Sequence, residues 1–116
     1  MVSDSMIDLV VAVDYYDGEI EGLARRDIGC RYFRRETLGL EDEANEYVSV
    51  AIDCSVFEEI ANLVGASGSH GVFVYSGSSH FANKRLDEML RSWRQQCEEF
   101  GQRSCGHSYL DSTALV

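Results

Sequence analysis

The first half of the chain alternates between hydrophobic and polar residues, which is the pattern of β-strands. In residues 7–15 every odd position and two of the four even positions are apolar, so we expect this strand to lie inside a sheet. Comparable runs follow at residues 19–26, 30–36 and 47–53, with Asp-Gly and Asp-Ile-Gly turn residues between the first three. Because strands joined by short turns pair antiparallel, the pattern predicts an antiparallel meander of about four strands.

The spacing of apolar residues changes to that of helices after residue 54. Ser55 and Glu58 fit a capping box, and Gly65 offers the left-handed conformation that ends many helices. A longer helix is predicted over residues 80–100 and ends at Gly101. Its apolar stripe would pack on the sheet and consists of Leu86, Leu90, Trp93, Cys97 and Phe100.

Two segments rich in glycine and serine surround a short apolar run at residues 72–75, which we interpret as a short strand. Residues 1–6 and 102–116 show no periodicity, and we expect them to be mobile. The chain of 116 residues has the length of one domain. The predicted fold is α+β, with the antiparallel sheet packed against a long C-terminal helix and a shorter helix.

Negative charge is concentrated in the first half of the chain. The protein has 20 acidic and 10 basic residues and a net charge of −10. Residues 1–64 contain fifteen acids and five arginines, whereas residues 65–116 contain five acids and five bases. Because coating a nucleic acid requires a positive surface, this composition argues against a general DNA- or RNA-binding protein.

Eight carboxylates in two clusters are the candidate partner-binding residues. Three interpretations compete: a solvated face, a docking surface for a basic protein, and a divalent-cation or acid–base site. The first cluster lacks the ligand spacing of an EF-hand, and we predict neither a metal nor a cofactor. The candidates are Asp14, Asp17, Glu19, Glu21, Glu41, Asp42, Glu43 and Glu46.

Five arginines lie close together beside an aromatic pair, Tyr32 and Phe33. Such a strand face could stack and clamp RNA. The acids on and near the neighbouring strand favour cross-strand ion pairing instead, so we expect no nucleic-acid partner. The arginines are Arg25, Arg26, Arg31, Arg34 and Arg35, and their expected partners are Glu19, Glu21 and Asp27.

The four cysteines are spaced singly, without a Cys-x-x-Cys pair. The N-terminus lacks the features of a signal peptide, and no apolar run is long enough to span a membrane. We therefore expect a cytoplasmic protein with free thiols. Cys54 precedes a helix N-terminus, which can activate a thiol, so a Cys54 nucleophile with His70 or His80 is the best enzyme hypothesis. The alternative is a half-buried cysteine beside ordinary loop histidines.

One stretch of the chain resembles a known group of proteins. Residues 14–18 (DYYDG), followed by Gly22, Ala24 and the Tyr32-Phe33 pair, resemble the opening of small uncharacterised bacterial proteins with a DYYDG(P)…G.A hairpin. The resemblance covers residues 9–60 and departs from the pattern at Glu19, where the pattern has proline. It implies an α+β bacterial domain and assigns no catalytic residues.

The charge distribution predicts a small cytoplasmic binding module whose acidic half engages a basic protein, as bacterial immunity and antitoxin proteins do. The first alternative is a small-ligand binder or enzyme that uses Cys54 with a loop histidine. The second is a homodimeric structural unit, so the chain is expected to be a monomer or a homodimer. No membrane partner is expected.

Overall fold

The computed structural model describes residues 7–15, 19–26, 29–37, 39, 44–66, 71–74, 84–106, 109 and 113–114. These residues form a sheet with two helices. The strands are β1 (Ile7–Tyr15), β2 (Glu19–Arg26), β3 (Gly29–Thr37), β4 (Asn45–Ile52), β5 (Gly71–Val74), β6 (Gln102–Gly106) and β7 (Thr113–Ala114), and the helices are α1 (Cys54–Val64) and α2 (Lys84–Phe100).

The sheet is larger than the predicted meander and is mixed. The meander is present as β1–β4, but the full strand order is β5-β1-β2-β3-β4-β6-β7. After β4 and α1, the chain continues at the opposite edge of the sheet, where β5 pairs parallel with β1. The predicted α+β fold class is confirmed. The predicted four-stranded antiparallel sheet accounts for only part of the observed sheet. The short apolar run in β5, Val72 to Val74, could not indicate a parallel partner so distant in sequence.

Both helices pack on one face of the sheet. Side chains from alternate strand positions meet those of α1 and α2 in a continuous core, as the period of the strands requires. The fully buried members of this core include Leu9, Val11, Leu23, Tyr32, Phe57, Ile60, Leu86 and Leu90.

Helix α1 begins two residues earlier than the predicted capping box implies. Its N-cap is Asp53, whose carboxylate accepts a hydrogen bond from the Ser55 backbone N–H at 2.8 Å and another from the Ser55 hydroxyl. Ser55 therefore lies inside the first turn, and its prediction as the cap is wrong. Asp53 takes the role because its extended backbone points the carboxylate at the free N–H groups. The predicted end is confirmed, since Gly65 has a φ of 82°.

The apolar stripe of α2 is confirmed except at its last member. Leu86, Leu90, Trp93 and Cys97 are buried, whereas Phe100 is 64% exposed. After Cys97 the next position that faces the sheet is Gly101, where a Cβ would lie only 2.3 Å from Val48 Cγ2. Phe100 is turned away because this close approach of the chain to β4 uses the sheet-facing position. The Gly101 N–H still donates to Cys97 O at 3.0 Å in the i→i−4 pattern of an α-helix, directly after the last helical residue.

Part of the C-terminal segment is regular, contrary to the expectation for residues 102–116. Gln102–Gly106 form β6, which pairs antiparallel with β4. Tyr109 is buried on the second sheet face, with its ring stacked on Phe33 at a centroid distance of 4.2 Å. The sequence QRSCG of β6 has no apolar alternation, so periodicity does not reveal this strand. It is held in place by backbone hydrogen bonds to β4 rather than by a buried apolar face. The expectation for residues 1–6 lies outside the described residues.

Candidate functional site

The two predicted acidic clusters flank the same end of the sheet. In the antiparallel meander, the end of β1 lies beside the start of β2, and the end of β3 lies beside the start of β4. The two strand pairs are centred two strand spacings apart, about 10 Å. We call residues 14–21 and 36–46 the acidic end. These two segments contain nine acids and no lysine or arginine.

The structure describes some of the candidate carboxylates at the acidic end. Asp14 and Glu46 are exposed, and Glu19 is the first residue of β2. Four further candidates, Asp17, Glu41, Asp42 and Glu43, lie outside the described residues.

Glu21 is an exception, because it is only 5% exposed and cannot meet a partner. It faces the helices, as Leu23 does two positions later on the same strand. Arg94 of α2 binds both carboxylate oxygens, with Nε 2.6 Å from Oε2 and Nη2 2.7 Å from Oε1. The Tyr32 hydroxyl donates to the same Oε2. The prediction of Glu21 as a partner-binding residue is therefore wrong: it attaches α2 to the sheet.

The electrostatics of this buried group support that structural role. Burial raises the pKa of Tyr32 far above its ordinary value, and the adjacent Glu21 carboxylate raises it further. The hydrogen bonds to Glu21 raise the pKa of Arg94. Tyr32 thus stays a neutral donor and Arg94 a cation, which is the combination that a buried carboxylate needs.

Two of the clustered arginines, Arg25 and Arg31, contact groups other than the predicted strand acids. Arg25 Nη1 lies 2.5 Å from Glu58 Oε2 of α1, and the guanidinium lies 5.5 Å from the centre of the Phe57 ring. Arg31 donates to Ser49 on β4 and to Gln102 on β6. Arg25 therefore points to the helix face of the sheet, where it contacts two residues of α1. The expected partner Asp27 lies outside the described residues.

Cys54 is bonded to Cys30 in a disulfide, with a Cα–Cα distance of 5.3 Å. The expectation of four free thiols is therefore wrong, and in this state Cys54 has no thiolate for the proposed nucleophilic role. His70 and His80 lie outside the described residues. The start of β3 and the start of α1 meet only in the folded chain, so the pairing has no local sequence motif. Disulfides persist mainly in oxidising compartments, and the cytoplasmic location remains a prediction.

A cavity of about 280 Å³ lies beside this disulfide, at the end of the sheet opposite the acidic end. We call it the disulfide pocket. It is lined by both cysteines, by two arginines and by small or apolar residues: Arg26, Gly29, Cys30, Arg31, Ala51, Ile52 and Cys54. The pocket thus combines two positive charges with a disulfide.

Within the described residues, no group of three or more histidine, cysteine, aspartate or glutamate side chains is arranged to hold a metal ion. Neither α1 nor α2 has the length and hydrophobicity needed to cross a membrane.

The two remaining cysteines should differ in reactivity. Burial raises the pKa of the Cys97 thiol to about 11, whereas Cys105 is only half-buried. A pKa of about 11 instead of the ordinary 9.0 lowers the thiolate fraction of Cys97 at pH 8 about 100-fold. We expect iodoacetamide at pH 8 to label Cys105 much faster than Cys97, as measured by peptide mass spectrometry. Equal labelling of the folded protein would contradict this; in denaturant the two rates should become similar.

Comparisons with known proteins do not assign this chain to a family. The resemblance of the β1–β2 hairpin to bacterial proteins remains a prediction. The chain significantly matches no protein family, no curated protein and no solved structure.

Proposed function

We propose that the protein is a small binding module that engages a basic protein partner through its acidic end. The main support is topological. The connection from β1 to β2 and the connection from β3 to β4 both belong to the same end of the sheet. Arg94 neutralises Glu21, and Arg103 pairs with Glu36. Asp14 and Glu46 of the acidic end are exposed and belong to neither of these two pairs.

The spacing of the strands lets these carboxylates act as one field. Charges about 10 Å apart lie within roughly one Debye length at moderate ionic strength, so a cationic partner experiences them together. Such a field accelerates association and rejects acidic partners more than it adds affinity. Binding by charge and occlusion is the mode of small acidic immunity and antitoxin proteins, and we assign the same mode to this module.

A fluorescent decalysine peptide tests the proposal without knowledge of the natural partner. We expect the double variant Asp14→Asn/Glu46→Gln to bind the peptide about fivefold more weakly at low salt, because each lost charge contributes up to about 1 kcal/mol. Binding should weaken steeply as salt is added. The measurement is a fluorescence anisotropy titration at two or more salt concentrations.

The control variant is Glu88→Gln/Glu98→Gln, which removes two exposed charges from α2. It therefore has the same net charge as the Asp14→Asn/Glu46→Gln variant. It should bind decalysine nearly as well as the unmodified protein. If both variants weaken binding equally, the peptide responds only to net charge, and the acidic end is not a specific site.

A further inference from the structure

We propose that the Cys30–Cys54 disulfide is a thiol–disulfide exchange site, and that the disulfide pocket binds a small anionic thiol of the glutathione class. In this assignment Arg26 and Arg31 attract the carboxylates of the thiol, and Cys54 is the sulfur that it attacks.

The two cysteines differ in access. Cys54 is exposed at the first position of α1, whereas Cys30 is 3% exposed and belongs to the core. In the proposed reaction, a thiol from solvent therefore attacks at Cys54 rather than at the buried Cys30. This asymmetry, with one outer and one inner sulfur, suits an exchange reaction that begins on one defined atom.

Arg26 provides the observation that points to an anion. Its Nε is buried and has no hydrogen-bond partner among the described residues. The guanidinium carbon lies 6.0 Å from the centre of the Tyr109 ring, so the group is held on an aromatic face at the pocket wall. A buried donor without an acceptor is costly, and a ligand carboxylate would satisfy it.

Arg31 adds a second positive charge in a fixed position. Its Nε and Nη2 donate to the Ser49 hydroxyl, the Ser49 carbonyl and the Gln102 side chain, which hold the side chain against the sheet. These acceptors are uncharged, so its positive charge is not neutralised by them and remains available to an anion in the pocket.

Two described acids flank the pocket-lining residues, and together they leave the pocket with an excess of positive charge. Glu58 pairs with Arg25. Asp53 accepts hydrogen bonds from the uncharged Ser55 and keeps its negative charge, which stands against the positive charges of the two arginines that line the pocket. The N-terminus of α1 favours negative charge at Cys54, both on the sulfur and on a ligand beside it. The pocket therefore favours an anionic thiol over a neutral one.

The exchange reaction balances with the thiol as the only co-reactant. The thiolate attacks Cys54 Sγ, the bond between the two cysteines breaks, and Cys30 leaves as a thiolate that takes a proton. A second thiolate then attacks the small-thiol sulfur of the mixed disulfide. Cys54 leaves as a thiolate, and the disulfide of the small thiol is released. Two electrons pass from two thiols to the protein, and the reverse sequence reoxidises it.

Reduction rates with reduced glutathione and with neutral 2-mercaptoethanol test the proposal on the intact protein. Each rate is measured by acid quenching, alkylation and intact mass, and is normalised to the same thiol acting on hydroxyethyl disulfide. We expect glutathione to be favoured about tenfold at low salt, which corresponds to one well-placed charge-assisted contact. Arg26→Gln should bring the ratio close to one. Arg91→Gln, which removes a charge 76% exposed on α2, should leave it unchanged.

A second variant locates the reacting sulfur. Because Cys105 is a half-buried free thiol, Cys30→Ser is made together with Cys105→Ser. The double variant Cys30→Ser/Cys105→Ser treated with oxidised glutathione should gain one glutathionyl group, on Cys54. The proposal is overturned if the unmodified protein shows no preference for glutathione, or if Arg91→Gln lowers the preference as much as Arg26→Gln does. It is also overturned if the reduction rate is independent of thiol concentration, because the disulfide would then react only after unfolding.

Discussion

Replacing Trp93 with alanine is expected to lower the free energy of unfolding by about 4 kcal/mol, the typical cost of removing a large buried aromatic side chain. Trp93 is 3% exposed, and its ring stacks on Tyr32 with centroids 5.6 Å apart. The variant loses both the buried apolar area and this contact, and it leaves a cavity between α2 and the sheet. A small domain has only about 5–15 kcal/mol of stability in total, so this one change removes a large share.

The Trp93→Ala measurement is urea unfolding followed by far-ultraviolet circular dichroism, since Trp93 is the only tryptophan and the variant has no comparable fluorescence signal. Trp93→Phe keeps an aromatic ring on Tyr32 and should cost less than half as much. A loss below about 1 kcal/mol for the alanine variant would place Trp93 at a site that collapses freely, which contradicts its position in the core.

Replacing Arg94 with methionine is expected to lower the free energy of unfolding by about 2–3 kcal/mol at pH 7. Methionine retains much of the apolar stem of arginine but removes the guanidinium. The buried Glu21 carboxylate then keeps the Tyr32 hydroxyl but loses both hydrogen bonds from Arg94. The loss is below that of a fully buried pair because the Arg94 side chain is 39% exposed and water can reach the variant site.

A double variant shows whether the uncompensated charge causes this loss. Glu21→Gln/Arg94→Met removes the carboxylate together with its partner, so it should be more stable than Arg94→Met alone by about 1 kcal/mol or more. Denaturant titrations of the two single variants and the double variant complete the cycle. Additive losses would show that Arg94 and Glu21 do not act as a pair.

The two proposed activities use opposite ends of the sheet. The acidic end lies where β1 and β3 finish, and the disulfide pocket lies where β2 and β4 finish. A variant at one end therefore leaves the charges and contacts of the other end in place. Loss of decalysine binding and loss of the glutathione preference can be scored independently.

Some errors in the site prediction had a readable signal. Glu21 has the same strand parity as Leu23, so alternation alone places it on the core side once β2 is identified. The disulfide is harder to find, because it depends on strand register. Cys30 lies opposite Ile52 in the β3–β4 pairing, and Ile52 is two residues before Cys54 in the chain. That register depends on the connection between the strands, which periodicity does not specify.

The sequence by itself determined the elements whose signals are local. Alternation and turn residues defined β1 to β4, and helical spacing with Gly65 and Gly101 defined the C-terminal ends of α1 and α2. Only the tertiary structure decided that β5 pairs parallel with β1, that polar β6 joins β4, that Arg94 reaches Glu21, and that Cys30 meets Cys54. The physical reason is range: periodicity reports which face of an element is buried, whereas these four contacts depend on backbone or side-chain groups from distant parts of the chain.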